Sequence, residues 1–232
     1  MTDSTAPPAR AWKVVLDKIE TDLLEGRLGP GDRLPSERDL VSQLGVGRSS
    51  VREALRVLEV MGLIRTGTGS GPSAGAIVIS SPTGGMSAFL RLQVAAQGFP
   101  IDDVVATRLF VEEWVVATLA EAPDPDLSAV RETVEAMDAA PLPPDEFLAL
   151  DAQFHYALAA ASGNSVVAAT MAGLRSAIES YTAEIAGRVA DWDAASARLR
   201  HQHHEILAAI DAGDAERARA LIPQHISGYY AP

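Results

Sequence analysis

The sequence predicts a mainly α-helical chain in two parts: a small three-helix unit closed by a β-hairpin, then an all-α antiparallel bundle of six to seven helices. Three observations carry this. Apolar residues recur at helical spacing through most of the chain. Two short β-prone runs, Leu63 to Thr66 and Ala76 to Ile79, flank a glycine-rich span. A compositional break, Ser80 to Gly85, separates the two styles of sequence.

Between Ala11 and Glu25, residues Trp12, Val15, Leu16, Ile19 and Leu23 form an apolar stripe, so this segment reads as an amphipathic helix. Gly26 and the run Leu28 to Gly31 end it. Ser36, followed by Glu37, Arg38 and Asp39, is an N-cap with acids in the first turn, and the second helix runs to about Leu44. Gly45 breaks it. A third helix begins near Arg48, with Val51, Leu55 and Leu58 facing inward and Arg48 and Arg52 together on another face. Leu34, Leu40, Val51 and Leu55 are expected core. With the hairpin, this is a winged helix-turn-helix, assigned to residues 10–80, with a linker over 81–87 and an all-α domain over 88–229. In the all-α part helices are expected at 86–97, 101–121, 126–139, 144–162, 165–189, 194–212 and 214–229.

Composition bounds the function. The chain has 232 residues, enough for two small domains, and 47 % are apolar, so a packed core is expected rather than disorder. Cysteine is absent, which excludes disulfides and thiolate metal sites and suits a reducing cytoplasm. No apolar run approaches the ~20 residues needed to span a bilayer, and the polar N-terminus carries no secretion signal, so no membrane partner is expected. The net charge of −12 is uneven: residues 1–80 hold ten basic and ten acidic residues, the remainder nine and twenty-one. A neutral head on an acidic body would leave the head to approach a polyanion.

The segment Leu34 to Gly62 fits a helix whose tip enters a DNA groove. Arg38, Arg48 and Arg52 have the reach for phosphates or a guanine edge. Ser49 and Ser50, with the backbone N–H groups of the helix start, suit phosphate oxygens. The plainer reading is that these arginines form surface pairs with Glu37, Asp39 or Glu53. These residues resemble the GntR family of bacterial transcription regulators. The resemblance rests on LPSERDL and GVGRSSVREALRVLEVMGLI, within residues 12–66. It implies a homodimer on double-stranded operator DNA, with Arg48 and Arg52 as the base-contacting candidates. Two features depart from the family. Gly47 stands where Ser or Thr is usual, and the wing tip, Gly67 to Gly75, has no Lys or Arg.

A second signal lies in the all-α part. Asp151 and His155, four apart on a helix, share a face with Phe154 and Leu158 and so point inward. His203 lies on the stripe of Leu199, Ile206 and Ile210, whereas His201 and His204 lie off it. His225 falls on the stripe of Ala218, Leu221 and Ile222. The turn at Gly213 separates His203 and His225 by similar lengths, so an antiparallel hairpin would set them level. One carboxylate and three imidazoles then suit a divalent transition metal of the zinc, nickel or manganese class, with positions left for water or a ligand. The alternative is a set of hydrogen-bonded core histidines.

This part is similar to the FCD ligand-binding domain of the FadR-type branch of GntR regulators. The matching pieces are Arg108-x-x-x-Glu112, Asp151-x-x-x-His155, Ser162-Gly163-Asn164, His203-x-x-Ile206, Ala212-Gly213-Asp214 and His225. The resemblance implies a bound metal that helps hold a small organic acid effector, with Arg108 pairing its carboxylate and Asn164 in the effector site. The plainer readings are an Arg108–Glu112 salt bridge and a helix cap at Asn164. The expected function is therefore a non-enzymatic, ligand-controlled transcription regulator, most simply a repressor. A metal-dependent enzyme carrying a DNA-binding head and a pure metal sensor are the alternatives.

Overall fold

The computed structural model describes residues 8–67, 75–79, 83–187 and 189–230. It divides into two units between Gly85 and Met86. In the first, α1 (Pro8–Leu24), α2 (Glu37–Leu44) and α3 (Arg48–Val60) precede strands β1 (Ile64–Gly67) and β2 (Gly75–Val78). The strands pair antiparallel, Ile64 opposite Val78 and Gly67 opposite Gly75. This is the expected winged helix-turn-helix; the wing tip between the strands lies outside the described residues.

Local chemistry sets the helix-turn-helix. The Ser36 hydroxyl accepts the Asp39 N–H, capping α2. Gly45 ends α2 at φ 66°, a left-handed conformation that costs glycine least, and its N–H bonds back to Val41. Val15, Ile19, Leu40, Val51, Leu58 and Ile64 pack into one apolar core beneath the two helices. Leu34 and Leu55 belong to the same core.

α4 spans Thr83–Ala95, so most of the linker expected over 81–87 is helical, and α4 begins three residues earlier than expected. Gly85 reads as a break because glycine disfavours a helix interior, but a Cβ there would collide with the backbone of Met61 at the end of α3. The glycines that read as a break serve a close approach instead.

The second unit continues with α5 (Ile101–Glu121), α6 (Ser128–Asp138), α7 (Pro144–Ala161), α8 (Ser165–Ala186), α9 (Trp192–Asp211) and α10 (Ala215–Tyr230). It is all helical, as expected. α5 is its centre and packs against α7, α8, α9 and α10. The apolar core contains Val116, Phe147, Phe154, Met171, Ile206 and Ile222 among others. Gly213, at φ 70°, makes the tight turn that sets α10 against α9. Among the described residues, no helix is long and apolar enough to cross a membrane.

Candidate functional site

The four candidate metal ligands come from three helices and meet in one place. α7 supplies Asp151 and His155, α9 supplies His203 and α10 supplies His225, and one donor atom from each lies within 4.8 Å of every other. His155, His203 and His225 are buried, and Asp151 is 18 % exposed at its side chain. The Nε2 atoms of His155 and His225 are 3.1 Å apart. His203 Nε2 lies 3.0 Å from Asp151 Oδ1, and His225 Nε2 lies 3.6 Å from the same oxygen. Ligands about 2.0–2.2 Å from a common divalent ion sit about 3–3.5 Å from one another, so the His155–His225 and His203–Asp151 spacings fit such an ion.

The far sides of the imidazoles strengthen that fit. His155 Nδ1 is 2.5 Å from Glu112 Oε2, a buried carboxylate on α5. His225 Nδ1 is 3.1 Å from Gln202 Oε1. If both Nδ1 atoms carry the proton and donate it, both Nε2 lone pairs face inward. Two lone pairs pointed at each other across 3.1 Å repel unless a cation lies between them. His203 is held differently, its ring 4.4 Å from that of Phe154.

Electrostatics point the same way. Burial holds the pKa of all three histidines below 6.5, so they are neutral near pH 7 with lone pairs available. Burial raises the carboxyl of Asp151, but its contacts with His203 and His225 and the neighbouring imidazoles together outweigh it and keep Asp151 well below the usual carboxylate range. Burial likewise raises Glu112, and the charges of Arg108 and His155 bring it down to about 2. His201 and His204 stay outside: both are exposed, and His204 pairs with Asp138 at 2.7 Å.

Asp151, His155 and His225 also line a cavity of about 170 Å³. The α8 wall contributes Arg175, which sequence reasoning did not single out. Arg108 reaches the cavity too, but its Nε donates to Glu112 at 2.6 Å, so the plainer reading of that pair holds in the structure. Asn164 is a correction. It is exposed, outside the cavity lining, and its Oδ1 accepts the N–H groups of Val166 and Val167 at the start of α8. A cap at that turn leaves its side chain no path to the cavity.

In the first unit, Arg38, Arg48, Ser49 and Arg52 are all exposed on the helix-turn-helix. Arg52 Nε donates to Glu37 Oε2 at 3.0 Å, linking α3 to α2 across the surface. Arg38 lies 4.0 Å from Asp39, at the limit of an ion pair. Among the described residues Arg48 has no ion pair. Ser50 is a second correction. It is only 9 % exposed, because it continues the inward line of Ala54 and Leu58 at four-residue spacing, and so offers DNA no hydroxyl.

Comparison with known proteins agrees with both halves. Residues 12–72 match the family described as bacterial regulatory proteins, gntR family, and residues 103–228 match the FCD domain. The chain is 30 % identical to the putative L-lactate dehydrogenase operon regulatory protein of Escherichia coli, over 95 % of this chain and 85 % of that one. It is also 30 % identical to the HTH-type transcriptional repressor NanR of Edwardsiella tarda, over 94 % and 84 %. A solved structure, Streptococcus agalactiae GntR, shares the fold with a TM-score of 0.58 at 24 % identity, covering 93 % of this chain and 97 % of that one. The chain therefore belongs to the gntR family of bacterial regulatory proteins: it is a DNA-binding transcriptional regulator rather than an enzyme, and carries an FCD effector-binding domain.

Proposed function

We propose that the chain is a cytoplasmic repressor whose operator affinity is set by a small carboxylate metabolite bound beside a metal ion. The head (residues 10–80) reads the operator; the body (88–229) holds the metal and the effector. The observation that carries this reading is the meeting of Asp151, His155, His203 and His225 in one cluster, with Asp151, His155 and His225 lining a cavity. When bound, a divalent zinc-, nickel- or manganese-class ion supplies a positive centre for a carboxylate oxygen. The cavity, about 170 Å³, is below the ~300 Å³ of drug-sized pockets, so the effector is small. Glu112 and Gln202 orient the His155 and His225 rings from behind.

On the head, Arg48 and Arg52 contact base edges, and Arg38, Ser49 and the N–H groups at the start of α3 hold phosphates. Homodimerisation supplies a second head and a roughly palindromic operator. It is supported by exposed apolar residues of the second unit, Phe89 and Leu92 on α4 and Phe110 and Trp114 on α5. Linkage then requires that the effector change operator affinity by the same factor as the operator changes effector affinity. The repressor sign follows the printed role of the NanR relatives.

The test is a thermal-shift screen of the purified protein against small organic acids, with and without chelator, followed by gel shifts. A carboxylate that stabilises only the metal-loaded protein, and alters operator binding, supports the reading. Operator binding that follows metal alone, with no organic ligand, would replace it with a metal sensor.

A further inference from the structure

We propose that Arg175, on the α8 wall of the cavity, is the residue that recognises the effector's carboxylate. This rests on the carboxylate reading above and names the group that performs it.

Register places Arg175 opposite the metal ligands. α7 and α8 form a hairpin that turns at Gly163, and the two helices pack on each other. Asp151 stands twelve residues before that glycine and Arg175 twelve after it, so the two sit level. His155 and Met171, each eight from the turn, sit level one helical turn nearer to it. From α8 the cavity receives Met171, Arg175, Ile178 and Thr182, a single helical face. A small anion with one oxygen at the metal would therefore find a guanidinium alongside.

The chemistry of the two cavity arginines separates their roles. Arg108 is buried, its Nε committed to Glu112 and through it to His155. It is a positioning residue for the metal ligands. Arg175 is half-buried and, among the described residues, has no hydrogen bond or ion pair. Five N–H donors in a partly desolvated wall are a cost that a bidentate carboxylate removes. Asp145 also lines the cavity, but it lies six residues further from the turn than Asp151, about 9 Å along the helix, and makes no ion pair with Arg175. It disfavours a second negative charge at that end.

The experiment uses the full-length, zinc-loaded protein and Arg175→Met and Arg175→Lys variants. Calorimetric titration employs glycolate, L-lactate, malate and citrate, with lactamide as the uncharged control. The wild type should bind at least one of the acids and not lactamide. Arg175→Met should weaken that binding by about tenfold or more, Arg175→Lys by less, since the charge remains but the fork is gone. Zinc affinity and the melting temperature of the zinc form should be unchanged. Acid binding by Arg175→Met at wild-type strength overturns the assignment while leaving the carboxylate reading intact. A parallel loss of zinc in Arg175→Met also overturns it, by making the residue structural. If the wild type binds none of the four acids, the carboxylate reading fails and this assignment fails with it.

Discussion

The two units keep their functional polar groups in opposite environments. On the head, Arg38, Arg48 and Arg52 stand in solvent, and the Arg52–Glu37 pair is 65 % and 42 % exposed at its side chains. In the body, Glu112, His155, His203 and His225 are at most 3 % exposed. Exposed charge is cheap to hold, screened by salt and easily re-paired, which suits a surface that must exchange ions for phosphates. Buried polar groups are costly unless every partner is present, which suits a site that must hold one geometry. Substitutions should therefore have large, local and salt-insensitive effects in the body, and smaller, salt-sensitive effects on the head.

The largest effect is expected at His203. His203→Ala removes one candidate donor and leaves a void beside Phe154; metal affinity should fall by roughly 100-fold or more, since outer-shell changes alone cost 10–100-fold. His204→Ala, one position along the chain but exposed and paired with Asp138, should leave metal content unchanged. Elemental analysis of the two purified variants checks this, and the reverse result would break the distinction between inward and outward histidines.

Next comes Glu112, which touches no donor atom of the cluster directly but stands behind His155. Glu112→Gln keeps the shape and removes the charge that lies beside His155 Nδ1. Metal affinity should drop by about 10–100-fold. Cobalt substitution gives a second readout, because a reoriented His155 alters the ligand-field spectrum. An unchanged spectrum and affinity would show that Glu112 serves only Arg108.

On the head, Arg52→Ala should lower operator affinity by about tenfold, a loss of ~1.4 kcal/mol. Metal content and effector binding should stay at wild-type values. Gel shifts at two salt concentrations check it; if affinity does not move, α3 does not present Arg52 to DNA.

A pH series separates the units again. All five histidines lie after residue 150. Burial lowers the pKa of His155, His203 and His225 from 6.5, so the folded state binds fewer protons than the unfolded chain below that value. The metal-free body should be most stable above about pH 6.5 and lose stability as pH falls through 6 towards 5. The head, lacking histidine, should show no step in this window. Melting curves followed through Trp12 for the head and Trp114 and Trp192 for the body resolve the two, and a step of equal size in both would remove histidine as its cause.

The same contrast explains what the sequence made legible. Helical stripes gave α5 to α10 and put His203 and His225 inside, because period 3.6 is written in consecutive residues. The partner of His155 was not legible: Glu112 was paired with Arg108 and not with His155, since its contact to α7 is made through space and no spacing encodes it. Arg175 escaped notice for the opposite reason. One arginine on an otherwise apolar helix face reads as a surface residue until the facing wall is known. Ser50 and the linker show how local rules mislead. A serine at a helix start suggests a phosphate contact, yet Ala54 and Leu58 place it on the inner line. Gly84 and Gly85 suggest a break, yet Gly85 is required by the nearness of Met61.

The smallest expected effect isolates the head's reliance on weak pairing. Glu37→Gln removes the carboxylate that holds Arg52 at 3.0 Å. An exposed pair of this kind contributes about 0–1 kcal/mol, so the melting temperature should hardly change. Operator affinity, however, should rise by about twofold at low salt, because Arg52 no longer has to leave a carboxylate before meeting DNA. The gain should shrink as salt screens both states. Gel-shift titrations of wild type and Glu37→Gln across a salt range give the comparison directly. A loss of affinity instead would mean that Glu37 aims Arg52 at its base. The exposed pair would then be doing for the head what Glu112 does for the body, holding a ligand in place from behind.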